Sequence, residues 1–266
     1  MSAPAHADRD RVTEAWGKIY VNHPGMTGVA RPESIARVRK QDFVRILQRY
    51  ADFNKNLLVL EAGCGRGIDS LYCASRGSRV VALDRYLPPL AGVETARRRY
   101  EATSSQQLSL SGCCGDFFRL SFMDNTFDVT FNSGVIEHFS AEADRVAHLT
   151  ELARVVKPGG IVAVAFPNKA HPLAKWWETL ASRFSDFDSY EIPEQPITAD
   201  AIHSAMESAG LRDTAVHGID AYNTFGHYPH WLPLRTVSYA LRTLLPAPPE
   251  SVQLRFGVRL LAIGKK

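Results

Sequence analysis

The chain has 266 residues, 45% of them hydrophobic and 22% charged, which is enough to bury a sizeable single core. A formal net charge of +3 is too small to point to nucleic acid, and no basic cluster with interleaved aromatics is present. No apolar run is long enough to span a membrane, and Met1 to Arg11 carries no apolar signal-peptide core. The four cysteines (Cys64, Cys73, Cys113, Cys114) form no C-x-x-C pair. A cytoplasmic protein without structural disulfides or a metal site is therefore expected.

In the N-terminal region, Trp16 and Tyr20 stand four residues apart, the spacing of one helix face. Core packing and a lid over a pocket are both open for them. Met26 to Pro32 reads as a loop. Leu57-Leu58-Val59-Leu60 then runs into Glu61 and three glycines at alternate positions, Gly63, Gly65 and Gly67, with Cys64 and Arg66 between them. A short apolar run ended by glycines predicts a strand buried on both faces. The glycines allow a sharp turn and a close approach of backbone to ligand. Ile68 to Ala74 continues as the first turns of a helix. Strand, glycine turn and helix N-terminus together predict a nucleotide-type site.

Arg79 to Leu83 is a second apolar strand, ending at Asp84, nineteen residues beyond Gly65. That is close to the spacing of about 20 residues at which an acid on the second strand binds a ribose. A carboxylate there accepts from both ribose hydroxyls, whether the ligand is a dinucleotide or another adenosine compound. Val129 to Asn132 reads as the fourth strand, with Asp128 capping or orienting it. A helix through Glu151 to Val156 ends at Pro158-Gly159-Gly160, and Ile161 to Phe166 is the fifth strand.

Beyond Pro167 the pattern loosens. Leu173, Trp177, Leu180 and Phe184 recur at helical spacing before Pro196. A helix capped by Thr198 runs through Met206 to Gly210. Tyr222, Phe225, His227, Tyr228, His230 and Trp231 crowd together, and Pro233 to Leu245 follows as an apolar helix. Leu254 to Ile263 closes the chain as a strand. Alternating strands and helices predict an α/β fold with a parallel sheet covered on both faces.

The glycine segment has the form E-x-G-x-G-x-G, which resembles the first motif of class I S-adenosylmethionine (SAM)-dependent methyltransferases. Gly115-Asp116-Phe117-Phe118-Arg119-Leu120-Ser121-Phe122-Met123-Asp124 through Val129 resembles the pattern G-D-x-x-x-L-P-F-x-D-x-x-F-D-x-V of the methyltransferase type 11 group, with Ser121 in place of proline. That group includes ubiquinone and menaquinone biosynthesis methyltransferases. Arg154-Val155-Val156-Lys157-Pro158-Gly159-Gly160 is similar to the family's R-V-L-K-P-G-G segment, and Val135-Ile136-Glu137-His138 to its V-L-E-H segment. The resemblance covers roughly residues 45 to 168.

The resemblance implies a Rossmann-like seven-stranded, mostly parallel sheet of order 3-2-1-4-5-7-6, with the seventh strand antiparallel. It implies one methyltransferase domain over 1–266, with a helical cap at 1–50, a SAM-binding core at 51–168, and substrate-side insertions at 169–196 and 220–250. SAM is then the methyl donor, held by Glu61, Gly63, Cys64, Gly65, Gly67, Asp84, Arg85, Asp116, Phe117, Asn132 and Ser133. In the family the strand-end acid, here Glu61, faces the methionyl ammonium, and the acid matching Asp116 accepts from the adenine amino group. The acceptor implied is a small molecule, aromatic or apolar, with no nucleic acid and no stable membrane insertion. His138 is the candidate proton acceptor, while Glu137 is expected to hold the backbone or the pocket. A non-catalytic SAM-binding relative or scaffold is the alternative. An NAD-dependent oxidoreductase agrees with Asp84 but not with the glycine spacing, Glu61 or the Asp116 segment.

Overall fold

The computed structural model describes residues 3–22, 29–30, 42–172, 194–195, 197–221, 240–241, 244–245 and 248–266. Seven strands form one sheet: β1 (Leu58–Ala62), β2 (Arg79–Asp84), β3 (Leu110–Cys114), β4 (Phe127–Ser133), β5 (Val156–Pro167), β6 (Arg212–Ile219) and β7 (Arg259–Lys265). Their order is β3-β2-β1-β4-β5-β7-β6. The first five strands pair in parallel, and β7 runs antiparallel to both β5 and β6. The expected Rossmann-like topology is therefore the observed one.

The central strands are apolar on both faces because helices cover both. Val59, Phe131, Ala163 and Ile263 pack with α2 (Asp42–Leu47) and α3 (Ile68–Ser75) on one side. Leu60, Val162, Val164 and Ala262 pack with α5 (Glu142–Val155) and α6 (Ala199–Ser208) on the other. Helix α4 (Leu87–Ser104) joins β2 to β3. Phe131 is fully buried in β4, so Phe131→Ala would cost about 3–5 kcal/mol of stability. Asp128 ties the strand starts together, accepting from the Leu58 N–H at 2.7 Å and from Lys157 Nζ at 2.7 Å.

Two segments depart from the sequence pattern. Helix α5 ends at Val155, and Val156 to Gly160 already belongs to β5. The reason is a partner distant in sequence: Gly159 N–H donates to the Lys266 carbonyl and Lys266 N–H to that of Gly160. The second departure is at the C-terminus, where Leu254 to Phe256 is helical rather than extended, within α7 (Glu250–Phe256). Pro249 precedes this helix, and the Gly257 N–H closes it on the Gln253 carbonyl at 2.6 Å. The helix backbone lies so close to Gly218 of β6 that a Cβ there would come within 1.7 Å of the Gln253 carbonyl oxygen.

Helix α1 (Ala3–Asn22) carries Trp16 and Tyr20, whose ring centroids are 5.5 Å apart. The expected Leu173–Phe184 face and the Tyr222–Trp231 aromatic cluster lie outside the described residues, as does most of Met26 to Pro32 and of Pro233 to Leu245.

Candidate active site

Open α/β sheets bind ligands where the strand order reverses, outside the carboxyl ends of the strands. Here the reversal falls between β1 and β4. A cavity of about 300 Å³ opens there, lined by the glycine loop, the ends of β2 and β4, and helix α1.

The loop after β1 takes its shape from left-handed glycines. Gly63 has φ 91°, and a Cβ on it would come within 2.4 Å of Val135 Cγ2. Gly65 has φ 47°, and a Cβ there would enter open space facing the Tyr20 hydroxyl, 4.0 Å away. A side chain at Gly63 is excluded by packing, whereas one at Gly65 would occupy the cavity itself. Gly67 stands at the N-cap of α3, and the buried Cys64 lines the cavity between them. Burial and the nearby Glu61 push the Cys64 thiol upward, so it stays protonated and serves as a small wall residue.

Two carboxylates define this floor. Asp84, at the end of β2, accepts from the Gly65 N–H at 2.9 Å and the Tyr86 N–H at 3.1 Å. Burial raises its pKa, and these amide hydrogen bonds oppose the rise. Glu61, fully buried at the strand end, accepts through Oε2 from both the Ser70 N–H, at 2.9 Å, and the Ser70 hydroxyl. Its pKa is pushed well up by burial and by Asp69 beside it.

Helix α1 closes one side. Arg85 reaches from the end of β2 to Thr13 Oγ1 at 2.5 Å and to Asp116 Oδ2 at 2.6 Å. The Tyr86 hydroxyl donates to the Thr13 carbonyl. Tyr20 stacks between Trp16 and Tyr86, with centroids 5.5 Å and 5.3 Å away. Desolvation keeps the Tyr20 phenol protonated by raising its pKa.

A further part of the lining comes from β4 and the segment after it. Ser133, Gly134, Val135, His138 and Phe139 line the cavity together with Phe117 and Phe118. His138 ends a single 3₁₀ turn (Ile136–His138), and its ring meets Trp16 edge-on at 5.5 Å. Glu137 points elsewhere and is buried, which lifts its pKa to about 8.

Most of the anticipated residues thus converge: Glu61, Gly63, Cys64, Gly65, Gly67, Asp84, Arg85, Phe117, Ser133 and His138 share one cavity. Asp116 and Asn132 are set differently. Asp116 is engaged by Arg85 and by the Phe118 N–H at 2.7 Å. Asn132 is wholly buried and turns to His148, with Nδ2 to Nε2 at 2.8 Å. His148 Nδ1 lies 3.0 Å from the Phe117 carbonyl, which can only accept, so Nδ1 carries the proton and Nε2 receives from Asn132. This neutral imidazole, its pKa pushed down to about 4 by burial, links the end of β4 to the Phe117 backbone. Thr13, Tyr86, Asp69 and His148 were not anticipated at the site. Only Asp69, an acid two residues past the last glycine in the first helical turn, left a local signal.

Comparison with known proteins agrees with this geometry. Residues 60–164 match the type 11 methyltransferase domain model. A malonyl-[acyl-carrier protein] O-methyltransferase from Erwinia billingiae is 31% identical, over 68% of this chain and 66% of that protein. A ubiquinone biosynthesis O-methyltransferase from Parvibaculum lavamentivorans is 28% identical, over 64% of each. A SAM-dependent methyltransferase from Archaeoglobus fulgidus shares the fold, with a TM-score of 0.57 over 93% of this chain and 99% of that one, at 16% identity. The chain thus carries a methyltransferase domain, matched over residues 60–164, on a Rossmann-like sheet, in line with its resemblance to the class I SAM-dependent methyltransferases of the type 11 group. The matched stretches span from 36% to 66% of the length of the first several curated relatives. Among the described residues no helix is long and apolar enough to cross a membrane, and no group of side chains is arranged to hold a metal.

Proposed function

We propose that this chain transfers the methyl group of SAM to a small-molecule acceptor of aromatic or apolar character, by in-line displacement. The observation that carries the reading is the division of one cavity into two chemistries. Glycine backbone, Glu61, Asp69 and Asp84 supply its polar lining, and Trp16, Phe118, Val135, His138 and Phe139 its apolar and ring-bearing lining.

The residues present suit the donor. Asp84 is placed for ribose hydroxyls, the open face of Gly65 leaves room for a ligand against the loop, and the buried carboxylates suit a cationic amino-acid end. Phe117 and Arg85 border the position proposed for adenine. The donor supplies a methyl on a sulfonium, an electrophile that needs no further activation. The chain then has to hold the acceptor in line and exclude water, and alignment of that kind contributes about 7–11 kcal/mol. Trp16, Phe118 and Phe139 provide an apolar wall for it, and α1, fastened through Thr13, shields the cavity from solvent. In this reading His138, which lines the cavity, takes the proton released when a hydroxyl or amine is methylated.

Production of S-adenosylhomocysteine, followed over a panel of phenolic, carboxylate and amine acceptors, tests the reading. Turnover with one class and calorimetric binding of S-adenosylhomocysteine but not NADH are expected. Binding without turnover on any acceptor would instead mark a SAM-binding scaffold. His138→Gln is expected to lower kcat by about 100-fold or more, while S-adenosylhomocysteine affinity changes little. Full turnover would remove His138 from proton transfer.

A further inference from the structure

One side chain of α5 supports the cavity's lining from behind. His148 is wholly buried, and its ring centroid lies 6.2 Å from that of Phe117, 6.2 Å from Phe118 and 5.2 Å from Phe139. All three phenylalanines line the cavity. Both ring nitrogens of His148 are committed. Asn132 Nδ2 donates to Nε2 at 2.8 Å, and Nδ1–H donates to the Phe117 carbonyl at 3.0 Å. Asn132 lies within β4, in register with Val164 of β5, so the imidazole joins the sheet to the Phe117 segment.

The result is a peptide held from both sides. The Phe117 carbonyl and the Phe118 N–H share one planar unit. The carbonyl accepts from His148, and the N–H donates to Asp116 Oδ1 at 2.7 Å. Among the described residues, His148 is the one side chain bonded to the Phe117 main chain. Fixing that plane also limits where the Phe117 ring can go. The ring rests against the glycine loop, since a Cβ on Gly63 would stand 3.7 Å from Phe117 Cζ.

We propose that His148 is a positioning residue for base recognition: by donating to the Phe117 carbonyl it holds the Asp116–Phe117 segment in the one orientation that distinguishes adenine from other purines. This rests on reading the cavity as the donor site, with adenine beside Phe117. His148 itself touches neither donor nor acceptor. Adenine presents a hydrogen-bond donor at its amino group and an acceptor at the adjacent ring nitrogen, and hypoxanthine reverses both. A segment held in one orientation rejects the reversed pattern, because its polar groups would be left unpaired.

Two variants separate the two bonds of the ring. His148→Gln keeps an acceptor near the Nε2 position, for Asn132, and loses the donor to Phe117. His148→Asn keeps a donor near the Nδ1 position, for the Phe117 carbonyl, and loses the link to Asn132. Calorimetry with S-adenosylhomocysteine and S-inosylhomocysteine, which differ in the base alone, reads the effect without an acceptor. The wild type is expected to prefer the adenine compound by at least about tenfold. That preference falls to within about threefold in His148→Gln and stays above about fivefold in His148→Asn. A wild type that binds both compounds alike overturns the proposal, as does a preference that survives in His148→Gln. An equal fall in both variants also overturns it and marks the ring as core packing alone. Should either variant fail to fold, NMR of the wild type with labelled histidine still decides. The Nδ1–H signal of His148 is expected to move further at saturation with S-adenosylhomocysteine than with S-inosylhomocysteine, and equal movement or none overturns the proposal. If neither compound binds the wild type, it is the donor-site reading that fails.

Discussion

The two halves of the sheet hold their carboxyl edges by different means. On the β1-β2-β3 side, polar side chains are satisfied within the β1 to β3 stretch of chain, by partners 2 to 31 residues away. Glu61 bonds Ser70, Asp84 bonds Gly65 and Tyr86, and Asp116 bonds Phe118 and Arg85. On the β4-β5-β7-β6 side the charged groups come from distant segments. Arg259 reaches Ser133, 126 residues earlier, and Asp220, 39 residues earlier. Glu137 is buried there with an Oε2 that has no partner among the described residues. The half proposed to hold the donor is preorganised by bonds within its own stretch of chain. The other half depends on how strands far apart in the chain come together, and a change in any of them can reshape it without disturbing the donor.

The sharpest break in this comparison is Gly65→Arg. The new side chain projects into the cavity from a φ of 47°, so S-adenosylhomocysteine affinity should fall more than about 100-fold, with far-UV circular dichroism unchanged. Asp84→Ala comes next. It removes the carboxylate that holds the Gly65 and Tyr86 amides and is proposed to face the ribose, and a loss of about 10- to 100-fold in affinity is expected by calorimetry. Affinity kept within threefold in either variant would mean that the preorganised half is not the donor site.

The pH dependence of stability separates the halves in another way. Glu137 has its folded pKa raised to about 8, so it binds more protons folded than unfolded. Its stabilising contribution is full below the unfolded value near 4.5 and is lost as pH rises through about 8. Glu137→Gln should therefore flatten the fall in Tm between pH 5 and 8. His148 works in the opposite sense. Its folded pKa is depressed to about 4, so its contribution is full above about 6.5 and is lost as pH falls toward 4. His148→Gln should flatten that acid limb and leave the alkaline one unchanged. Thermal melts across pH 4 to 9 read both, and parallel curves for variant and wild type would refute the burial argument.

The smallest effect is expected from Thr13→Val, which removes one of Arg85's two partners from α1 but leaves the Tyr86 hydroxyl on the Thr13 carbonyl. A two- to fivefold weakening of S-adenosylhomocysteine binding corresponds to about 0.4–1 kcal/mol. A larger loss would show that the N-terminal helix, and not the sheet edge, dominates the donor half.

Where the chain's own neighbours decide, the sequence was a sufficient guide. The run from Leu57 to Gly67 and the strand ending at Asp84 carry their geometry in φ-permissive glycines and in a side chain–backbone bond across nineteen residues, a spacing that the sequence itself displays. The seven-strand order was legible only through the family resemblance, because no local pattern orders strands. Pro158-Gly159-Gly160 and Leu254 to Phe256 went the other way: one was drawn into β5 by Lys266, the other became α7 against Gly218. Asn132 illustrates the same limit at the site, since a strand position does not say whether a side chain meets the cavity or His148.

By itself, then, the sequence determined the glycine turn, the acids that flank it and the class of ligand they suit, because these depend on backbone conformation and spacing. The tertiary structure alone decided that Ser70 holds Glu61 Oε2, that Asn132 turns to His148, and that Arg259 is shared between Asp220 and Ser133. A carboxylate's availability is a property of everything packed around it, and that packing is set by contacts between residues far apart in the chain.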